Sequence, residues 1–392
     1  MKKTIRQLSV VNKKVFMRVD FNVPLDEQRH IIDDTRIQKT LPTIRYVLEQ
    51  GGAVILASHL GRPKGKRLKE FSLQPVAERL SELLQQSVTM APDCIGEATK
   101  ELVSKMKPGD IVLLENLRFH AEEEANDPDF AKQLAALGDI GVNDAFGCCH
   151  RAHASVSGIA AFLPMVAGLL LAKEIQFLGE TVTNPEHPFA AIIGGAKISD
   201  KINVIDNLLD KVDVMIIGGG MANTFLLAQG YAVGKSLVEM DKIELAKKLL
   251  QKAKQKNVHF LLPVDVTVAS NFANDSEYVV TNLNDIPQTG MILDIGTRSQ
   301  AIFADALKDM KTIIWNGPMG VFEMPHFALG TQAVAKAVAD ASAVSIVGGG
   351  DSLAAINQMG LADAITHIST GGGASLEYLE GKALPGIIAL QD

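Results

Sequence analysis

The sequence predicts an α/β protein of two lobes, and three observations carry that expectation. The 392 residues exceed the roughly 100–200 of a typical domain. Short apolar runs rich in β-branched residues alternate with helical patterns, which indicates parallel sheets covered by helices on both faces. In the second half four such runs end in glycine clusters, as strand-to-helix turns do at the carboxyl edge of an open, doubly wound sheet.

Taken in order, the first strands are Val15-Phe16-Met17-Arg18-Val19, Ala53-Val54-Ile55-Leu56-Ala57, Ile111-Val112-Leu113-Leu114 and Ile140-Gly141-Val142. Between them a helix is expected over 73–84, where Val76, Ala77, Leu80, Leu83 and Leu84 share one face. The apolar stretch Ile159 to Leu171 is broken by Pro164 and is too short to span a membrane, so it reads as a buried segment. A helix over 168–178 then runs into Asn184-Pro185-Glu186-His187-Pro188, whose two prolines forbid a regular element. Beyond this break, strands 190–193, 214–217, 344–347 and 365–368 lead into Gly194-Gly195, Gly218-Gly219-Gly220, Gly348-Gly349-Gly350 and Gly371-Gly372-Gly373. One such turn could be tight packing alone; four in one lobe point to a ligand, since glycine lets backbone approach it and the following helix start attracts anions. The expected division is 1–170 as one lobe, 171–188 as inter-lobe helix and hinge, and 189–375 as the second lobe.

Composition narrows the function. Apolar residues make up 47% and charged residues 21%, which excludes a disordered or coiled-coil chain. A net charge of −7 argues against nucleic acid as partner, and no segment suits a membrane or an export signal. Three cysteines, two of them adjacent, cannot form a paired framework, so a reducing, cytoplasmic setting is expected. Charge is unevenly distributed: up to Glu180 there are 23 Lys+Arg against 23 Asp+Glu, and ten of the eleven arginines lie there. Singly each arginine reads as solvated charge; as a set they could hold a small polyanion.

Familiar phosphate motifs are missing. No Gly-x-Gly-x-x-Gly occurs, and Gly234-Lys235-Ser236 has its upstream glycine, Gly230, one residue too close for a P-loop. Lys197 and Lys201 follow Gly194-Gly195 at an expected helix start capped by Ser199, where a cation makes electrostatic sense if an anion fills the gap. Asp351 and Ser352 supply a cap and a hard oxygen ligand after Gly350; a bare cap is the alternative. In the first lobe polar residues collect after each strand: Asp20 and Asn22, then Ser58-His59-Leu60-Gly61-Arg62, Glu115-Asn116-Leu117-Arg118, and His150-Arg151-Ala152-His153. A zinc site in Cys148-Cys149-His150-Arg151-Ala152-His153 fails on spacing, and no Gly-x-Ser-x-Gly elbow is present.

Read together, Arg18-Val19-Asp20-Phe21-Asn22-Val23-Pro24, Ser58-His59-Leu60-Gly61-Arg62-Pro63, Glu115-Asn116-Leu117-Arg118-Phe119-His120, His150-Arg151-Ala152-His153-Ala154-Ser155, Gly194-Gly195-Ala196-Lys197-Ile198-Ser199-Asp200-Lys201, Trp315-Asn316-Gly317-Pro318-Met319-Gly320-Val321-Phe322-Glu323 and Gly348-Gly349-Gly350-Asp351-Ser352 resemble the signatures of the phosphoglycerate kinase family, in the family's order. Ser352 stands where threonine is common, and Cys148-Cys149 where small or hydroxyl residues are usual. The resemblance implies two Rossmann-like lobes and phosphoryl transfer between 1,3-bisphosphoglycerate and ADP, giving 3-phosphoglycerate and ATP, in glycolysis and gluconeogenesis. It implies that Asp20, Phe21, Asn22, Arg36, His59, Leu60, Gly61, Arg62, Arg118 and Arg151 bind the acid, with Arg62, Arg118 and Arg151 on its 3-phosphate and Arg36 near the reacting carboxyl. Lys197, Lys201, Asn316, Glu323, Gly349, Gly350, Asp351 and Ser352 would hold the nucleotide, with Asp351 on Mg²⁺, Glu323 on the ribose and Ser352 on a phosphate. Arg36, Lys197, Lys201, Gly372 and Gly373 would stabilise the transferring group. The family's C-terminus returns to the first lobe, so 376–392 should pack there in a chain expected to be a monomer that closes about its hinge. The residues alone leave open a kinase for another small carboxylate, or a bilobal anion-binding protein without catalysis.

Overall fold

The computed structural model describes residues 2–392. The chain divides into two compact units, Met1–Gln176 with Ala383–Asp392, and Phe177–Lys382.

The first unit is built on six parallel strands: β1 (Lys14–Arg18), β2 (Ala53–Ala57), β3 (Thr89–Met90), β4 (Ile111–Leu113), β5 (Ile140–Asn143) and β6 (Met165–Ala167), in the order β3-β4-β2-β1-β5-β6. Every residue of β2 is buried, as expected of a strand covered on both faces. Ile37, Leu41, Ile44 and Val47 turn one face of the helix Thr35–Glu49 into this core, each contributing about 1.5–3 kcal/mol of hydrophobic stabilisation. The stretch 159–171, read as a single buried segment, is resolved into a 3₁₀ turn, β6 and the start of the helix Leu169–Glu174, because Pro164 and Gly168 interrupt it. The buried Asp144 carboxylate fixes that helix start, accepting from the Leu170 and Leu171 amides at 2.9 and 3.0 Å.

The second unit carries β7 (Phe189–Ile193), β8 (Val214–Ile217), β9 (His259–Leu261), β10 (Asp265–Ala269), β11 (Tyr278–Asn282), β12 (Met291–Ile295), β13 (Thr312–Asn316), β14 (Val344–Gly348) and β15 (His367–Ile368). Six form a parallel sheet in the order β15-β14-β13-β7-β8-β9. The remaining three form an antiparallel sheet, β11-β10-β12, that the sequence reading did not include.

Three further differences from the sequence reading have local causes. The return of the C-terminus starts at Ala383 and not at 376: Leu376 to Leu379 lie in the helix Gly373–Leu379, which packs on Ile202–Leu208, with Asn207 Nδ2 donating to the Leu379 carbonyl at 2.7 Å. From Ala383 on, Gly386 donates to the Cys149 carbonyl at 2.9 Å and Gln391 to that of Met165 at 2.9 Å. Ser199 caps no helix: it lies in a turn closed by the Lys201 amide on the Ile198 carbonyl at 3.0 Å, and the helix begins only at Ile202 with Lys201 as N-cap. Asp351 and Ser352 lie in the first turn of the helix Gly350–Gln358, whose cap is Gly349 at φ +92°.

Candidate active site

In an open α/β sheet the ligand crevice opens at the carboxyl edge where connections diverge, here between β1 and β5 in the first unit and between β7 and β13 in the second. The residues singled out from the sequence gather at these two edges.

At the first edge Arg18 is only 1% exposed, Arg118 3% and His59 4%. Arg18 Nε donates to Ser155 Oγ at 2.8 Å, one Nη to the Val19 carbonyl, and the other approaches His59 Nδ1 at 3.3 Å and Cys148 Sγ at 3.5 Å. Arg118 donates to the Gly61 carbonyl at 2.8 Å and faces Glu124 at 3.4 Å. Arg36, in the first turn of Thr35–Glu49, opposes that helix's dipole and is compensated by Asp20, both of whose carboxylate oxygens lie at 3.0 Å; it also donates to the Asn22 carbonyl at 3.2 Å. Asn22 Oδ1 in turn accepts the Gly61 amide at 2.8 Å. Arg151 is half-buried, with Nε donating to His150 Nε2 at 3.2 Å, and Arg62 is exposed. Phe21 and Leu60 turn their side chains into the core, so only their backbone can face a ligand.

Burial, then Arg18, Arg118, Arg151 and Arg36, push the His59 pKa well below the usual histidine range. Burial, then Arg118, Arg18, Arg151 and His150, bring His153 down to about 4. Both rings are neutral near pH 7, and the edge's positive charge resides in guanidinium groups. Burial lifts the Cys148 thiol to about 11, so it is not a ready nucleophile. Potential metal ligands gather twice among the described residues: Asp20, His59 and Cys148, with its thiol raised by burial, and Asp93, Cys94 and His120, where Asp93 already meets His120 Nε2 at 2.8 Å and Arg67 at 3.4 Å.

At the second edge Lys201 Nζ donates to the Gly194 carbonyl at 2.7 Å, the Asn316 carbonyl at 3.0 Å and Asn316 Oδ1 at 2.6 Å, bridging β7 and β13. Burial brings its pKa down to about 8, against the opposing pull of Asp351 and Asp200. A Cβ at Gly317, where φ is +99°, would overlap the Gly194 carbonyl and the Lys201 ammonium, so this seat tolerates no side chain. Asn316 Nδ2 is buried without a hydrogen-bond partner and faces Gly349. Lys197, Glu323, Gly350 and Asp351 are exposed. Ser352 is fully buried and its hydroxyl accepts the Gly317 amide at 2.7 Å, so it braces the turn instead of offering its oxygen outward. Gly372, at φ +52°, opens the helix that begins at Gly373.

Beside Lys201 lies a cavity of about 690 Å³, within the range of small-molecule sites. Gly195, Gly219 and Gly220 form one wall, Leu237, Met291, Leu293, Val321 and Met324 an apolar slot, and Glu323 and Asp351 also line it. Sequence reasoning missed the slot, whose residues come from dispersed positions; the Gly218-Gly219-Gly220 cluster was its one visible signal. It also passed over Lys235, which lines the cavity although its motif lacks P-loop spacing.

Comparison with known proteins agrees with this arrangement. A family model described as phosphoglycerate kinase matches residues 5–382. Proteins of that name from Pelotomaculum thermopropionicum and Moorella thermoacetica are 57% and 58% identical over 391 residues, covering 100% of this chain and 99% of each relative. The solved structure of phosphoglycerate kinase from Coxiella burnetii is 44% identical with a TM-score of 0.91, covering 99% of this chain and 98% of its own. That from Pyrococcus horikoshii is 36% identical with a TM-score of 0.86, covering 100% and 98%. Full-length similarity in sequence and in fold, joined to an arginine-lined edge and a glycine-turn edge, shows that this chain belongs to the phosphoglycerate kinase family.

Proposed function

We propose that the chain reversibly transfers a phosphoryl group from 1,3-bisphosphoglycerate to ADP, giving 3-phosphoglycerate and ATP, as a phosphotransferase with a carboxyl group as acceptor. The observation that carries the reading is Lys201, half-buried among glycine turns beside the unpaired Asn316 amide and next to a nucleotide-sized cavity. In the ATP-consuming direction a carboxylate oxygen of the acid attacks the γ-phosphorus, the bond to ADP breaks, and the electron pair leaves on the β-phosphate. The acid is already ionised at neutral pH, so no general base is needed, in keeping with two neutral histidines at the acid-binding edge.

Asp20, Asn22, Arg36, His59, Arg62, Arg118 and Arg151 hold the acid in this reading, the 3-phosphate lying on Arg62, Arg118 and Arg151. Phe21, Leu60 and Gly61 contribute backbone. Lys197, Lys201 and the amides of Gly349 and Gly350 take the nucleotide phosphates, Glu323 the ribose, and the apolar slot the base. Arg36, Lys201, Lys197 and the amides at Gly372 and Gly373 stabilise charge as it spreads over the transferring group.

The donor set fits Mg²⁺: Asp351 offers one exposed hard carboxylate beside the phosphate-binding turns, and Mg²⁺ is commonly held by one or two carboxylates together with substrate phosphates. Bound there, it would neutralise phosphate charge. Transfer also calls for both ligands to be presented to each other, which is the closure expected from sequence; an unchanged radius of gyration on adding both ligands would remove that step. A reducing cytoplasm is the setting this reading expects for a chain with three free, buried cysteines, and a monomer its expected state. No helix of the described residues is long and apolar enough to cross a membrane.

A coupled assay with 3-phosphoglycerate and MgATP tests the reading. Turnover with this acid supports it; turnover only with another carboxylate, or none, overturns it.

A further inference from the structure

Glu123, Ser155 and Arg18 are all but completely buried and lie in three different segments: the short helix Ala121–Glu124, the loop after β5, and the end of β1. A buried guanidinium needs a countercharge, and a buried carboxylate needs donors. Ser155 joins them. Its hydroxyl donates to Glu123 Oε1 at 2.5 Å and accepts from Arg18 Nε at 2.8 Å, which uses its single proton on the carboxylate side. The Ser155 amide adds a bond to Glu123 Oε2 at 2.9 Å, and the Ala154 amide one to the Glu123 carbonyl at 2.9 Å, so the carboxylate also holds the loop that carries Arg151.

The far end of Arg18 meets His59. A guanidinium can only donate, so its approach to Nδ1 at 3.3 Å requires the lone pair of Nδ1 and puts the ring proton on Nε2. Asp20 and the Cys148 thiol also lie against this ring, and burial together with Arg18, Arg118, Arg151 and Arg36 keeps it neutral. Nε2 has no partner among the described residues, which leaves its N–H available to an anion at the edge.

We propose that Glu123 and Ser155 are positioning residues that act through Arg18 to hold His59 as the Nε2–H tautomer, giving the acid-binding edge one directed neutral donor among its arginines. The inference rests on the acid-binding reading of the first unit. It explains two residues that no contact with substrate would account for, since neither Glu123 nor Ser155 reaches the surface.

The full-length chain tests it with Ser155→Ala, Ser155→Thr and Glu123→Gln. Ser155→Ala should raise KM for 3-phosphoglycerate roughly tenfold while changing ATP affinity by less than about twofold, as expected for loss of a charge-assisted hydrogen bond at one edge only. Imidazole ¹⁵N shifts should report a single Nε2–H form of His59 across the neutral range in the unmodified protein, and exchange between tautomers in Ser155→Ala and Glu123→Gln. Ser155→Thr keeps the hydroxyl and should restore both KM and the single tautomer, a rescue that loss of packing would not give. Should Glu123→Gln fail to fold, the two serine variants still decide. An Nδ1–H ring in the unmodified protein, or unchanged KM in Ser155→Ala, overturns the relay. Arg118→Ala separates the two levels: if it raises KM while Ser155→Ala does not, the relay alone is lost, and if neither does, the acid-binding reading falls with it.

Discussion

In the first unit the capacity to bind an anion resides in side chains: Arg18, Arg118 and His59 are buried, and each is already hydrogen-bonded to backbone or to a neighbouring group. In the second it resides in backbone, with glycine turns around the half-buried Lys201, whose acceptors are carbonyl oxygens and one amide. Guanidinium groups keep their charge at any relevant pH and impose a fixed fork, which suits a small ligand with defined phosphate and carboxylate positions. Backbone amides and an ammonium impose less geometry and let a flexible polyphosphate shift as charge moves along it. Rigidity thus lies in the first unit, and adjustable charge in the second.

The largest break in that contrast should come from Lys201→Ala. It should lower kcat roughly a hundredfold or more with little change in KM for 3-phosphoglycerate, as for removal of one preorganised donor from a transition state. Steady-state kinetics decides, and unaltered kcat would remove Lys201 from the chemistry. Next, Arg62→Ala should raise KM for 3-phosphoglycerate about tenfold while calorimetry finds ADP affinity intact. Equal damage to both ligands would erase the division of labour. Asp351→Ala should weaken MgADP more than metal-free ADP, in a ratio of several-fold read by titration calorimetry; equal weakening would reduce Asp351 to a first-turn carboxylate complementing the helix dipole.

The smallest effect sharpens the contrast through pH. Desolvation, which disfavours its charged form, brings the Lys201 pKa down to about 8. Below that pH the lysine is already charged and binds polyphosphate without cost; above it, binding must take up a proton, so nucleotide affinity should fall as pH rises from 8 toward the ordinary lysine range. Calorimetry in buffers of different ionisation enthalpy should detect the uptake, and Lys201→Arg should abolish it. Acid binding, which rests on arginines and a neutral ring, should stay flat over the same interval.

Much of this was legible in the chain because burial on both faces writes continuous apolar runs: 53–57 and 189–193 are strands at every residue. The glycine clusters marked the carboxyl edge because close backbone approach excludes side chains there. The antiparallel sheet was not legible, since β11 (Tyr278–Asn282) is almost wholly exposed and its Tyr-Val-Val-Thr-Asn run shows no alternation. Two-residue strands such as β3 and β15 fall below any periodic signal. The cap falls at Lys201 and not at Ser199 because a turn closed by the Lys201 amide on the Ile198 carbonyl delays the helix, and Ser199 reads as a cap in either geometry. Arg18 and Glu123 could not be separated from surface charge by composition alone; only the meeting of strand, helix and loop buries them.

The burial of the rarest residues gives the chain a pair of built-in reporters. Its single tryptophan, Trp315, is fully enclosed in the second unit, while Cys94, Cys148 and Cys149 are at most 4% exposed and all belong to the first. A thiol reagent can reach those sulfurs only when the first unit opens, so its labelling rate counts openings there, whereas indole emission follows the second. Followed side by side in rising denaturant, the two signals yield a separate midpoint for each half of one unmutated polypeptide. Coincident midpoints would mean that the halves melt as one cooperative body, and a gap between them would rank which half gives way first.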